Sequence, residues 1–150
     1  IAETVLERCT CLRRKFGAVI VKNDEIISTG YAGAPRGRKN CNELGYCARE
    51  KMQIPRGERY EMCRSVHAEQ NAIISAARKD LIDSTLYLVG KEALDNSYVK
   101  NANPCILCKR FILNAGIKEV IIRKDKNNYE VIDTKTYIDN DESLDEKFGY

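Results

Sequence analysis

Ser65-Val66-His67-Ala68-Glu69 and, further on, Pro104-Cys105-Ile106-Leu107-Cys108 are the stretches around which the rest of the chain can be read. His67 is the only histidine. One imidazole and two thiolates supply three zinc ligands and leave a fourth tetrahedral position open, as catalytic rather than structural zinc sites do. A lone Cys-x-x-Cys would favour a closed structural site. Its pairing with His-Ala-Glu, each at the head of an apolar helical pattern, favours catalysis. Residues two apart on a helix do not share a face. His67 and Glu69 therefore serve one site only if it lies over a helix end.

The capping residues carry this further. Ser65 is the expected N-cap of a helix over 65–79, with Val66, Ile73, Ile74 and Ala77 facing inward. Asn103 is the expected N-cap of a helix over 104–115, with Pro104 as its first residue. Cys105 and Cys108 then share a face near the positive helix end, where thiolate is favoured over thiol. Zinc brings the pKa of its water toward ~7. Glu69, free of the metal, is the expected proton shuttle.

Outward from these helices the pattern turns to strands. Residues 16–21 form a β-branched run, and 25–31 follow after a turn too short for anything but an antiparallel pair. Strands are expected at 85–89, 119–123 and 129–133, with 91–103 as a polar linker. Gly116 suits the position after a helix end. Residues 1–13 read as the end of an amphipathic helix, with a short N-terminal piece missing. The order α-β-β-α-β-α-β-β predicts a three-layer α/β/α fold around a five-stranded mixed sheet. The length of 150 residues suits one domain.

The segment 34–64 has little periodicity, and a structureless stretch of that length needs something to hold it. It contains three of the seven cysteines. Cys11, Cys41, Cys47 and Cys63 are candidates for a four-thiolate structural zinc site, with Cys9 as a substitute for Cys11. The alternative is free cysteines packed as small hydrophobes. An odd cysteine count argues against a closed disulfide set and for a reduced, cytoplasmic setting. No apolar run approaches a membrane span, and nothing at the start reads as a signal peptide. The net charge of +3 is slight, but 36–64 holds eight basic and four acidic residues and could attract phosphate. The acidic stretch from Asp139 to Glu146 reads as a tail. The chain lacks the basic helix and aromatic platform that a nucleic-acid partner would favour.

The motif His-x-Glu with Pro-Cys-x-x-Cys is the general signature of zinc nucleobase deaminases. Three segments make the resemblance more specific. They are Thr10-Cys11-Leu12-Arg13-Arg14 through Gly17-Ala18-Val19-Ile20-Val21, then Gly30-Tyr31-Ala32-Gly33-Ala34-Pro35-Arg36-Gly37, then Cys63-Arg64-Ser65-Val66-His67-Ala68-Glu69-Gln70-Asn71-Ala72-Ile73. Over residues 1 to about 122 the chain resembles the deoxycytidylate (dCMP) deaminases of the cytidine deaminase-like superfamily. The resemblance implies hydrolytic deamination of dCMP to dUMP, with Zn2+ on His67, Cys105 and Cys108 and with Glu69 as proton shuttle. It implies that the Ala68 amide touches the base, and that a second zinc has one ligand at each of Cys11, Cys41, Cys47 and Cys63. It also implies a homo-oligomer with dCTP as activator and dTTP as inhibitor. Arg36, Arg38, Lys39 and Arg64 are candidates for the 5′-phosphate.

Two features depart from that family. Its usual Gly-Tyr-Asn-Gly is here Gly-Tyr-Ala32-Gly, which removes a side-chain hydrogen bond to the nucleotide. The link between the last two strands is too short for a crossover, so they should pair antiparallel, with Asn127-Asn128 near the turn, as in free-nucleoside deaminases. The alternatives are therefore a nucleoside or nucleobase deaminase, then a tRNA adenosine deaminase, and last a non-catalytic zinc-stabilised binding protein.

Overall fold

A computed structural model describes residues 1–141. Five strands form one sheet in the order β2-β1-β3-β4-β5, where β1 is Arg14–Lys22, β2 Glu25–Tyr31, β3 Thr85–Glu92, β4 Glu119–Arg123 and β5 Tyr129–Asp133. β1 runs antiparallel to β2 and to β3, β3 parallel to β4, and β4 antiparallel to β5. The sheet is mixed as expected, and its last pair is the antiparallel hairpin that the short link requires. Asp125 accepts from the Asn127 and Asn128 amides at the turn, at 2.8 and 2.9 Å.

Cross-strand partners point to the same face. Ala18 pairs with Gly30 and Leu88, Ile20 with Leu86, Leu86 with Val120 and Leu88 with Ile122. This row is fully or almost fully buried and belongs to the main core. α4, Ala68–Ile74, packs on β1 and β2 and against α6, Ile106–Ala115. On the opposite face α1, Ala2–Leu6, lies over Gly17, where a Cβ would come 2.3 Å from the Ala2 carbonyl. Helices on both faces make the three layers.

The structure corrects several local expectations. Helix α1 ends at Leu6, and residues 7–13 lead into a strand that begins at Arg14. β3 continues to Glu92 because Arg14 faces Glu92 across the ladder and bonds it at 2.9 Å. The 91–103 segment is no simple polar linker: Val99 and Ala102 are buried in the core. The helix expected over 65–79 is shorter. Ser75 turns its hydroxyl back on the Asn71 carbonyl at 2.8 Å, the chain leaves the helix, and α5 restarts at Arg78–Leu81. Ile74, 70% exposed, and Ala77 thus face outward rather than into the core. The 34–64 segment carries α2, Cys41–Leu44, α3, Ala48–Lys51, and a single 3₁₀ turn at Tyr60–Met62. A last helix, α7, Lys135–Asp139, follows β5. The acidic tail lies mostly outside the described residues.

Candidate metal centre and active site

The helix over the first motif starts later than its Ser65 cap suggests. Val66 is held extended by a two-way pairing with Gly33, at 2.8 and 3.2 Å, so Ser65 cannot open the helix. His67 itself is the N-cap, and Gln70 Oε1 accepts from its amide at 2.9 Å. The chain spells this reciprocal cap as His-Ala-Glu-Gln. The second helix behaves alike. Cys105, rather than Asn103, is the N-cap of α6, with Pro104 still outside it.

α4 is fastened to the sheet by two hydrogen bonds. Ser28 Oγ donates to the Ala72 carbonyl at 2.7 Å, and Asn71 Nδ2 donates to the Tyr31 carbonyl at 2.8 Å. With α4 fixed and α6 against it, His67 Nδ1 lies 3.4 Å from Cys105 Sγ and 3.3 Å from Cys108 Sγ. All three donor atoms lie within 4.8 Å of one another, the only such cluster among the described residues. Tetrahedral zinc with ordinary bond lengths would hold N and S about 3.6 Å apart, so the donors fit the ion with small adjustment.

The three donors lie close enough to shift one another's hold on a proton. The hydrogen bond from Cys108 brings the Cys105 thiol down to about 4, against the opposing effect of burial and with help from His67. Cys108 moves upward, because its proton is held by Cys105 and because it is buried. Burial lowers the basicity of His67, but hydrogen bonds to Cys105 and Cys63 outweigh it and bring the ring up to about 11. Glu69, 4% exposed, is the only buried acid among the described residues. Burial pushes its carboxyl up, His67 opposes this, and it is hydrogen-bonded to Cys108. Its carboxyl thus stands beside the ligand set.

A cavity of about 110 Å³ opens on this cluster. Its lining includes His67, Ala68, Glu69, Cys105, Asn103 and Ala32. Ala68, for which the resemblance implies a base contact, is among the lining residues. Arg36 is exposed and does not line the cavity, and Arg64 donates to the Lys39 carbonyl at 2.8 Å, also outside the lining. The arginines that do line it are Arg13, Arg14, Arg49 and Arg56. Sequence reasoning missed them, and also missed Tyr60, whose ring stands edge-on to His67 at 5.5 Å. The density of basic residues in 36–64 was a signal for Arg49 and Arg56, and nothing comparable marked Arg13 and Arg14.

The other cysteines gather nearby. Burial raises the Cys41 thiol, and Cys11, Cys63 and Cys47 are close enough to raise it further. Burial also pushes Cys63 up, but its hydrogen bond with His67, the Ser65 amide and the nearby Arg49 bring it below its ordinary value. These four sulfurs are not drawn together as the His67 set is.

Comparison with known proteins agrees with this geometry. The family model of the cytidine and deoxycytidylate deaminase zinc-binding region matches residues 1–124. A deoxycytidylate deaminase of Schizosaccharomyces pombe is 33% identical over 129 residues, covering 85% of this chain and 36% of that protein. One from Mycobacterium phage D29 is 35% identical over 130 residues, covering 83% of this chain and 90% of that protein. The chain thus spans about a third of the yeast relative and most of the phage one. The solved dCMP deaminase of cyanophage S-TIM5, in complex with dCMP and dUMP, superposes with a TM-score of 0.57 at 28% identity. That match covers 83% of this chain and 76% of the cyanophage one. Motif, fold and relatives converge: the chain belongs to the cytidine and deoxycytidylate deaminase family.

Proposed function

We propose that this protein hydrolytically deaminates dCMP to dUMP. The observation that carries the reading is the buried Glu69 carboxyl set against the His67, Cys105 and Cys108 donors, with Glu69, His67 and Cys105 lining one cavity. A zinc ion on those three residues supplies Lewis acidity and a nucleophilic water near neutral pH. Glu69 takes one proton from water and delivers it to the ring nitrogen of the base, which keeps it; it then takes the second proton from the oxygen now on the ring carbon and delivers it to the departing amine. Water oxygen bonds to the ring carbon, the carbon–nitrogen bond breaks, and ammonia leaves. The Ala68 amide is assigned to orienting the base. The substrate assignment is supported by the deoxycytidylate deaminases named above.

A second reading is a free nucleoside such as deoxycytidine. It is favoured by the antiparallel β4–β5 pair and by Ala32 in the cavity wall. Ammonia release from dCMP, CMP, deoxycytidine, cytidine, adenosine and guanine, with and without dCTP, decides between them. Equal turnover of dCMP and deoxycytidine would count against the nucleotide reading.

The same proposal extends to the cysteine-bearing segment. Cys11, Cys41, Cys47 and Cys63 hold a second, structural zinc, a reading supported by the proximity of the other three thiols to Cys41. The sulfurs must close up on that ion. Metal analysis of reduced protein should give two zinc ions per chain, and one alone would remove the site. Cys41→Ser should then lower the melting temperature without abolishing turnover. A homo-oligomeric, cytoplasmic enzyme with nucleotide effectors completes the reading. No helix among the described residues is long and apolar enough to cross a membrane.

A further inference from the structure

One turn of the cysteine-bearing segment is aimed at the metal centre. Tyr60–Met62 is a 3₁₀ turn, and the Tyr60 carbonyl accepts from the Cys63 amide at 2.9 Å. Side chains three apart on such a turn lie on one side. Tyr60 and Cys63 therefore face the same way, and both line the cavity beside His67. The Tyr60 ring stands perpendicular to the imidazole with centroids 5.5 Å apart, inside the range of a favourable edge-to-face pair. The Cys63 sulfur is hydrogen-bonded to the same imidazole.

The turn is fastened from behind. Arg49, 6% exposed, lays its guanidinium over the Tyr60 ring, 4.4 Å from the centroid. Its Nη2 donates to the Pro55 carbonyl at 3.2 Å and to the Glu58 carbonyl, just before the turn. Arg49, Tyr60 and His67 thus stand in series, from a buried anchor to the metal ligand.

The N-cap position fixes the backbone of His67 but not its ring. The second torsion of a histidine side chain is broad, and half a turn about it carries Nδ1 to the other side. Here Nδ1 faces the sulfurs of Cys105 and Cys108, at 3.4 and 3.3 Å, which leaves Nε2 for Cys63. An imidazole on a metal needs a partner for its other N–H, and that partner sets the ring's orientation.

We propose that the Tyr60–Cys63 turn positions the metal centre: Tyr60 packs against the His67 ring and Cys63 accepts from its Nε2–H, so that Nδ1 is held toward the two thiols. The inference rests on the zinc assignment made above and adds to it the residues that hold its one imidazole. Tyr60 is a positioning residue that touches neither metal nor substrate in this role.

Histidine-selective 15N labelling reports this ring alone, because the chain has one histidine. Zinc-loaded protein is titrated with a chelator while the His67 ring signals are followed, so zinc bound elsewhere does not enter the reading. Tyr60→Leu should lose the ion from His67 at about 10- to 100-fold lower chelator concentration than wild type, the usual cost of removing a group that orients a metal ligand. Tyr60→Phe, which keeps the ring, should stay near wild type. A merely structural tyrosine would lower the melting temperature in Tyr60→Leu and leave the chelator midpoint unmoved, and that result overturns the bracing. Equal weakening in Tyr60→Phe and Tyr60→Leu overturns it too. If Tyr60→Leu does not fold, Cys63→Ala is set against Cys41→Ala, which removes a thiol from the same segment but leaves the acceptor. Greater zinc loss at His67 in Cys63→Ala supports the bracing, and equal losses overturn it. A wild type that shows this dependence but releases no ammonia from dCMP would sink the deaminase reading and leave the bracing standing.

Discussion

His67 Nδ1 lies 3.3 Å from the sulfur of Cys108, although the two residues are 41 apart in the chain. Both stand at the start of helices, His67 as N-cap of α4 and Cys108 in the first turn of α6. Contact between those helices converts two remote motifs into one donor set.

If that donor set holds the zinc, Cys108→Ser should remove one ion per chain, measured by elemental analysis of gel-filtered protein. Activity should fall to background and should not return on dialysis against zinc. Retention of full metal content would show that the ion is held elsewhere.

Glu69 touches the cluster but is not needed to bind the ion. Glu69→Gln should keep zinc content and the unfolding midpoint near wild type, while the turnover rate falls on the order of 10²–10⁴-fold. A variant that keeps most of its rate would show that another group moves the proton.

β2 comes close to α4 at Gly30. A Cβ there would sit 2.1 Å from the Ala68 carbonyl and 2.4 Å from the Ala72 nitrogen, both backbone atoms. Gly30→Ala should therefore cost about 3 kcal/mol by denaturant titration. Because Ala68 lies between His67 and Glu69, turnover should fall too. A loss below about 0.5 kcal/mol would mean that the helix does not rest on this strand as described.

Glu3 joins α1 to the sheet. The Tyr98 hydroxyl donates to it, Lys91 Nζ lies 3.8 Å away and Arg123 Nε 3.6 Å away. Chiefly through the Tyr98 bond, and against burial, its carboxyl is held below the ordinary 4.5. The unfolded chain therefore binds the proton more readily. The stabilisation is complete above 4.5 and is lost as pH falls through the lower folded value. The side chain is 38% exposed, so solvent screening limits the contribution to about 0.5 kcal/mol. The stability gap between wild type and Glu3→Gln should be present at pH 7 and should close in acid. A gap unchanged at low pH would mean that charge is not its origin.

The sequence by itself determined that His67, Cys105 and Cys108 would meet and that five strands would form a mixed sheet. His67, Glu69, Cys105 and Cys108 were legible because ligand type and spacing leave few other uses for them. β2, β4 and β5 could be bounded because alternation and short turns are local properties, and Gly116 ends α6 with φ of 82° where a left-handed residue was expected. Tertiary structure decided what depends on distant partners. Gly33 holds Val66 extended and moves the helix start from Ser65 to His67. Glu92 draws β3 past its apolar run by pairing with Arg14. Arg13 and Arg49 reach one cavity only because the sheet and the cysteine-bearing segment fold around it. A capping preference or a charged side chain has several local solutions of similar energy, and only long-range packing selects among them.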